Sequence, residues 1–298
     1  MTQIVAVDIG GTHARFALAE IAAGRVTDLG QPTTLHVSDH ESFESAWHAF
    51  GRLHSRRLPA DAALAIASPT DGAEIRLTNN PWTIRPAEFS NRLGLVRYTV
   101  LNDFAAVGHA VAQVGPDHFE PLCGPDRPLP DRGTISVIGP GTGLGVAQVL
   151  REDDRYHVQA TEGGHIGFAP LDPIDDALLA RLRSDHDRVS VERIVSGPGI
   201  VHIYETLSAV QGWETEPMDD RTLWTHGMSG EDRLAALAVE RFCMSLGSVA
   251  GDIALAQGAS AVVVAGGLGL RIRNALRRSG FAERFSAKGR FSAMLRDV

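Results

Sequence analysis

The chain has 298 residues, 44% of them apolar and 21% charged, with a formal net charge of −8. This supports one large or two ordinary domains with a substantial buried core, and the negative charge argues against a nucleic-acid or anionic-membrane partner. Two cysteines without a Cys-x-x-Cys pair argue against structural zinc, and a single lysine, Lys288, argues against lysine-dependent phosphate or Schiff-base chemistry.

Residues 4–7 are a short apolar run rich in branched side chains and predict a buried strand, and 14–18 predict a second. Between them stand Asp8, Gly10, Gly11 and Thr12. The result is a hairpin with bare backbone at its tip and a carboxylate at its root. Glycine amides approach a phosphate closely, and a carboxylate at a strand end suits hydrated Mg²⁺. The glycines lead into a strand and no Gly-Lys-Ser/Thr follows, so this is neither a dinucleotide fingerprint nor a P-loop. A glycine turn with a capping Asp is the structural alternative. No leader precedes the first strand and no apolar run reaches about 18 residues, so no signal peptide or membrane span is expected. Cys123 and Cys243 are expected as reduced thiols of a cytoplasmic protein.

Further strands are expected at 25–37, 62–67, 74–77 and 96–101, and helices at 41–53 and 86–93. A turn is expected at Asp71-Gly72, and the strand at 74–77 leads into Thr78-Asn79-Asn80-Pro81-Trp82. The strand at 96–101 ends in Asn102 and Asp103, and a helix follows at once. That junction is where α/β proteins bind ligands, although either side chain also suits a helix cap. Residues 115–132, rich in Pro, Gly and Asp, form a long loop and the expected domain boundary. A second strand–turn–strand follows, with Gly139, Gly141, Thr142, Gly143 and Gly145 between strands at 134–138 and 146–150. One such hairpin per half points to two related halves that grip one polyphosphate.

Residues 155–160 continue as a strand into Thr161-Glu162-Gly163-Gly164-His165, which sets a Glu and a His around two glycines. Helices are expected at 174–183, at 191–195 behind a Ser190 cap with Glu192 in its first turn, at 200–210, and at 232–257 as a central helix. A buried strand at 261–265 ends in Gly266-Gly267-Leu268-Gly269, a tight turn that lets backbone pack on a flat ring such as adenine, or an ordinary βα turn.

Together these residues resemble the bacterial glucokinase family of the hexokinase, actin and heat-shock-chaperone superfamily, over nearly the whole chain. Residues 8–15 are similar to that family's first phosphate motif, 138–145 to its second and 263–269 to its adenosine motif. Asn102-Asp103, Glu162-Gly163-Gly164-His165, and Ser190-Val191-Glu192-Arg193 with Ser196-Gly197-Pro198-Gly199 resemble its sugar-binding segments. The resemblance implies a two-domain α/β actin/hexokinase-like (ribonuclease H-like) fold with an interdomain cleft, divided as 1–113 and 114–298. It implies ATP-dependent phosphorylation of D-glucose to glucose 6-phosphate, with Asp103 as general base and Asn102, Glu162, His165 and Glu192 on the sugar hydroxyls. ATP and Mg²⁺ are the implied cofactors. Asp8, Gly10, Gly11, Thr12, Arg15, Gly139, Gly141, Thr142, Gly143, Gly266 and Gly267 serve the nucleotide, and Asp8 faces the metal through water. The implied protein is a cytoplasmic homodimer.

A carboxylate-rich pocket suits a neutral polyol, whose hydroxyls it binds by charge-assisted hydrogen bonds. The zinc motif of the related repressor, open-reading-frame and kinase group is absent, as is an N-terminal helix-turn-helix. Two features depart from the family pattern. His13 stands where the family usually has Asn, and the chain stops at Val298, where relatives continue with a strand, a turn and a final helix. Shortening of that kind is expected to expose apolar surface and weaken coupling between domains. The alternatives are a kinase for another neutral hexose, such as fructose or mannose, and a weakly catalytic glucose sensor.

Overall fold

The computed structural model describes residues 1–54, 57–77 and 80–298; Thr78 and Asn79, which follow the expected strand at 74–77, lie outside the described residues. The chain forms two compact units, Met1–Val107 and Gly108–Val298.

The first unit opens with β1 (Thr2–Ile9), β2 (His13–Ala22), β3 (Arg25–Leu29) and β4 (Thr33–His36). The single strand expected at 25–37 is thus two. Gly30 turns the chain by donating its N–H to the Leu18 carbonyl at 2.8 Å, and β3 and β4 then pair separately with β2. Helix α1 (Phe43–Leu53) is capped by Ser42, whose hydroxyl accepts from the Ser45 N–H at 3.2 Å. Then come β5 (Asp61–Ile66), the small hairpin of β6 (Ile75–Arg76) and β7 (Thr83–Ile84), α2 (Phe89–Leu93), β8 (Arg97–Asn102) and α3 (Asp103–Gln113). The sheet order is β3-β2-β1-β5-β8, with β5 parallel to both β1 and β8. Alternating buried positions on β1 and β5 meet Phe16, Phe43, Trp47, Phe50, Trp82 and Phe89 in one aromatic core. Each of these large side chains contributes on the order of 1.5–3 kcal/mol by leaving water.

The unit boundary falls inside α3, six residues before the 113/114 boundary expected from the loop composition. The reason is packing. A Cβ on Gly108 would overlap Val158 at 2.6 Å and touch Val149 at 3.5 Å and Ala147 at 3.6 Å, and the Arg151 guanidinium donates to the Val111 and Ala112 carbonyls, both at 3.1 Å. The last turns of α3 therefore belong to the second core.

The second unit contains β9 (Arg132–Pro140), β10 (Leu144–Glu152), β11 (Arg155–Thr161), α4 (Pro173–Leu182), α5 (Gly199–Gln211), α6 (Asp220–Ser229), α7 (Arg233–Gln257) and β12 (Ala259–Val264). It closes with α8 (Gly266–Arg271), α9 (Arg273–Arg278), α10 (Phe281–Ser286) and α11 (Ser292–Arg296). Its sheet order is β11-β10-β9-β12, with β12 parallel to β9. In both units a hairpin extends on one side into a third antiparallel strand and is joined on the other by a parallel crossover strand. This shared order is the duplicated architecture that the repeated glycine hairpin implied.

Helix α7 is long and apolar enough to cross a bilayer by composition, yet 72% of its most apolar window is buried inside the unit. Gly247 and Gly251 let the backbone of α10 approach it, because a Cβ at either would overlap the Phe281 or Phe285 carbonyl. Cys123 and Cys243 are free thiols. Burial pushes the Cys243 thiol up to about 12.

A nearly buried ion cluster ties α4, α7 and α10 together. Arg241 donates to Asp172 at 2.6 Å and to Asp175 at 3.3 Å, and Arg284 also pairs with Asp172. Asp172 caps α4 as well, accepting from the Ile174 and Asp175 N–H groups, both at 3.0 Å. Burial opposes its ionisation, but the Arg241 hydrogen bond and the cap win and hold the carboxyl at about 2. Burial raises the Asp175 carboxyl. A depressed carboxyl stabilises the fold above its unfolded value of 3.8 and loses that contribution as pH falls toward 2. Asp175 has the opposite sign and offsets part of the loss. Urea titrations should therefore show wild-type stability falling by up to about 2 kcal/mol below pH 4. Asp172→Asn should be less stable than wild type at pH 7 and should lose less stability over the same acid range, where Asp61, Glu74, Asp153 and Asp219, also held low, still contribute a slope. A parallel acid slope in the variant would remove Asp172 as the cause.

Candidate active site

The tip of the first hairpin is held by backbone. The Gly10 N–H donates to the His13 carbonyl at 3.0 Å, and the Val37 N–H to the Thr12 carbonyl at 3.0 Å. Asp8 and Arg15 are register partners at the root, joined at 2.8 Å, and both side chains are about half exposed. Sequence reasoning missed Asn80. This buried amide donates to the Gly10 carbonyl at 2.9 Å and accepts from the Trp82 N–H at 2.9 Å, so it fixes the tip from 70 residues away. Its only signal was its place in the Asn-Asn-Pro stretch after a short strand, which names no partner. Neither Gly10 nor Gly11 has a positive φ. A Cβ on Gly10 meets nothing closer than the His13 carbonyl at 3.7 Å. The missing side chain therefore keeps space open at the tip rather than relieving strain.

Asn102 ends β8 and supplies the cap of α3. Its Oδ1 accepts from the Phe104 N–H at 2.9 Å and the Ala105 N–H at 3.2 Å, and Nδ2 lies 3.5 Å from the Ser68 carbonyl. Asp103 Oδ1 accepts from the Phe104 N–H at 2.8 Å. The capping alternative is thus real and falls mainly on Asn102.

In the second unit three separate segments converge. Residues 166–168 pair with 189–191: the Phe168 N–H donates to the Val189 carbonyl at 3.0 Å and the Val191 N–H to the Ile166 carbonyl at 2.9 Å. In place of the helix expected at 191–195 stands a short 3₁₀ turn, Val191–Arg193, and the Ser190 hydroxyl makes no cap. The turn aims Glu192 at the second hairpin. Its Oε2 accepts from the Leu144 N–H at 3.0 Å, while Oε1 stands 3.9 Å from His165 Nε2. His165 Nε2 also lies 3.7 Å from Glu162 Oε2. Glu162, His165 and Glu192 therefore form one partly exposed polar group beside the hairpin.

The hairpin glycines divide by role. A Cβ on Gly143 would overlap Glu192 Oε2, and one on Gly164 would overlap the Leu144 carbonyl, so these two permit close approach. Gly141 has no atom within 4 Å of a Cβ, which leaves the tip bare; its N–H closes the turn onto the Gly143 carbonyl at 2.8 Å. Beside it, the Ala265 N–H extends the β12–β9 pairing to the Ile138 carbonyl at 2.7 Å, and Gly266 starts α8 at φ 84°, a left-handed conformation that favours glycine. The strand-to-helix turn carrying Gly266 and Gly267 thus begins next to the hairpin carrying Gly139, Gly141, Thr142 and Gly143. Among the described residues no three His, Cys, Asp or Glu gather as a metal site. A single half-exposed carboxylate, Asp8, fits an ion that keeps its waters and arrives with phosphates.

A family model described as "Glucokinase" matches residues 5–298. The glucokinase of Zymomonas mobilis subsp. mobilis is 51% identical over 296 residues, which is 99% of this chain and 91% of that protein. Among solved structures, a glucokinase from an Antarctic psychrotroph superposes with a TM-score of 0.86 at 33% identity, covering 100% of this chain and 93% of its own. A ROK family glucokinase from Streptomyces griseus, solved with glucose and AMPPNP, shares the fold at a TM-score of 0.61 and 19% identity, over 95% of this chain and 89% of its own. A family model spanning nearly the whole chain, a relative identical at half its positions and the same two-domain α/β fold agree: the chain belongs to the glucokinase family, kinases of glucose.

Proposed function

We propose that Asp103 is the general base for this reaction, taking the proton of the glucose 6-hydroxyl as that oxygen attacks the γ-phosphorus of ATP. The new bond is oxygen to phosphorus, the bond to the β-phosphate oxygen breaks, and ADP departs. Glu162, His165 and Glu192 hold sugar hydroxyls, with Asn102 contributing through Nδ2, since Oδ1 is committed to the α3 cap. Backbone amides and hydroxyls at Gly10, Gly11 and Thr12, and at Gly139, Gly141, Thr142 and Gly143, receive the phosphates, with Arg15 as a fixed cation. Gly266 and Gly267 give the adenosine a flat backbone seat. Asp8 is the residue that would hold Mg²⁺, through water, and the ion would supply charge neutralisation on the phosphates. The reading extends to a homodimer in the cytoplasm, which light scattering would report as twice the chain mass.

The observation that carries the reading is Glu192. One of its oxygens is bonded to the phosphate-type hairpin at Leu144 and the other faces His165, so the sugar-type residues and the hairpin share one carboxylate. A coupled assay for glucose 6-phosphate with Mg-ATP, run over a panel of hexoses, tests it. Turnover confined to glucose is expected. Equal turnover of fructose or mannose would make this a broader hexose kinase. No turnover with any hexose, while glucose still raises the melting temperature, would favour a sensor.

A further inference from the structure

Trp224 lies on α6, outside every motif described above, and is 2% exposed. Its ring packs edge-on against Phe242 at 4.9 Å between centroids, and the Arg271 guanidinium caps it at 5.7 Å. A phenylalanine would satisfy the packing alone. The indole N–H does something more specific: it donates to the Gly197 carbonyl at 2.9 Å. The Gly197 N–H in turn donates to the Gly141 carbonyl at 2.6 Å, at the bare tip of the second hairpin. The separation is close to contact, because a Cβ on Gly197 would stand 3.1 Å from that same carbonyl.

The segment 190–199 therefore grips the hairpin at both shoulders, through Glu192 at Leu144 and through Gly197 at Gly141. Four residues, 193–196, lie between the two grips, in turns closed by the Val195 N–H on the Val191 carbonyl at 2.8 Å and the Gly199 N–H on the Ser196 carbonyl at 3.1 Å. Trp224 pins the Gly197 end from a buried helix, and Arg271, which caps its ring, belongs to the helix that starts at Gly266.

We infer that Trp224 is a positioning residue for the nucleotide: through Gly197 it fixes the Gly141 end of the second hairpin and so sets affinity for the ATP phosphates, while the Glu192 grip at the Leu144 end stays in place. The inference rests on assigning that hairpin to nucleotide. Its chemistry is preorganisation, since a peptide plane held before binding does not have to be ordered by the ligand. Loss of one net hydrogen bond corresponds to roughly a 3- to 10-fold change in an equilibrium constant.

The test is Trp224→Phe, which keeps an aromatic ring for Phe242 and Arg271 but removes the donor. Calorimetric titration of the full chain with Mg-AMPPNP should show binding weakened about 3- to 10-fold, with glucose affinity within about twofold of wild type and KM for ATP rising while kcat holds. Equal losses for both ligands, or unchanged nucleotide affinity, would overturn the inference. Wild-type protein that binds no nucleotide would instead overturn the assignment of the hairpin. Should the variant fail to fold, hydrogen exchange on the wild type decides. Mg-AMPPNP alone should slow exchange at residues 196–199 as well as at 139–145; protection of the hairpin without protection of 196–199 would sink the proposal.

Discussion

Asp103→Asn is expected to lower kcat for glucose phosphorylation by about 10²- to 10⁴-fold, the range a positioned general base supplies, and to leave KM for glucose nearly unchanged. The substitution is chosen because it separates chemistry from structure. Asn is nearly isosteric, and its amide oxygen can still accept from the Phe104 N–H as the Asp103 carboxylate does at 2.8 Å. The cap of α3 is in any case carried by Asn102 through two backbone bonds. Thermal stability should therefore stay within about 1 kcal/mol of wild type. A fall in kcat at constant KM is the signature of an interaction made only in the transition state. The companion variant Asn102→Ala should behave differently, losing about 1 kcal/mol of stability with the cap and showing its kinetic loss mainly in KM. If Asp103→Asn keeps more than about a tenth of wild-type kcat, the proton leaves by another route and Asp103 is not the base.

The contrast between these two neighbours shows where sequence reading reaches and where it stops. Asn102-Asp103 after an apolar strand and before a helical pattern locates the junction correctly, because strand, cap and helix are all local. Which side chain caps is decided by side-chain direction at the end of β8, which spacing does not encode. The glycine hairpins are legible for the same local reason: apolar runs with bare backbone between them. The reasons for individual glycines are not legible. Gly10 and Gly141 keep space open, whereas Gly143 and Gly164 admit a neighbouring segment.

Longer-range pairing accounts for the other differences. Residues 191–195 carry a helical pattern and a Ser cap, yet they make only a short turn, and the N–H of Val191, which a helix start would leave without an intrahelical acceptor, goes to Ile166. Asn80 binds Gly10 across 70 residues and Glu192 binds Leu144 across 48, and no periodicity reports either. The unit boundary follows the small side of Gly108, which lets α3 seat against Val158 of β11 and on β10, rather than the Pro-rich loop that composition favours.

Gly143→Ala is expected to be nearly as damaging as removal of the base, and through packing alone. A methyl there would overlap Glu192 Oε2 and stand 2.9 Å from its carboxyl carbon, so Glu192 must leave. With it goes the bond to the Leu144 N–H at 3.0 Å. A charge-assisted hydrogen bond of this kind is worth about 1.5–3 kcal/mol, or roughly 10- to 150-fold. The displaced carboxylate also loses its place beside His165, and misplacement of about 1 Å at a positioning group costs on the order of 10²-fold. The expected outcome is kcat/KM reduced about 10²-fold or more, with KM raised for glucose and for ATP together, since one carboxylate serves both segments. A double-mutant cycle identifies the cause. In an Glu192→Ala background the added methyl meets no carboxylate, so Gly143→Ala should cost less than about threefold there. Additive losses would instead mean that the methyl acts on the hairpin backbone or on the bound phosphates themselves, and that the Glu192 grip on Leu144 contributes little to either substrate.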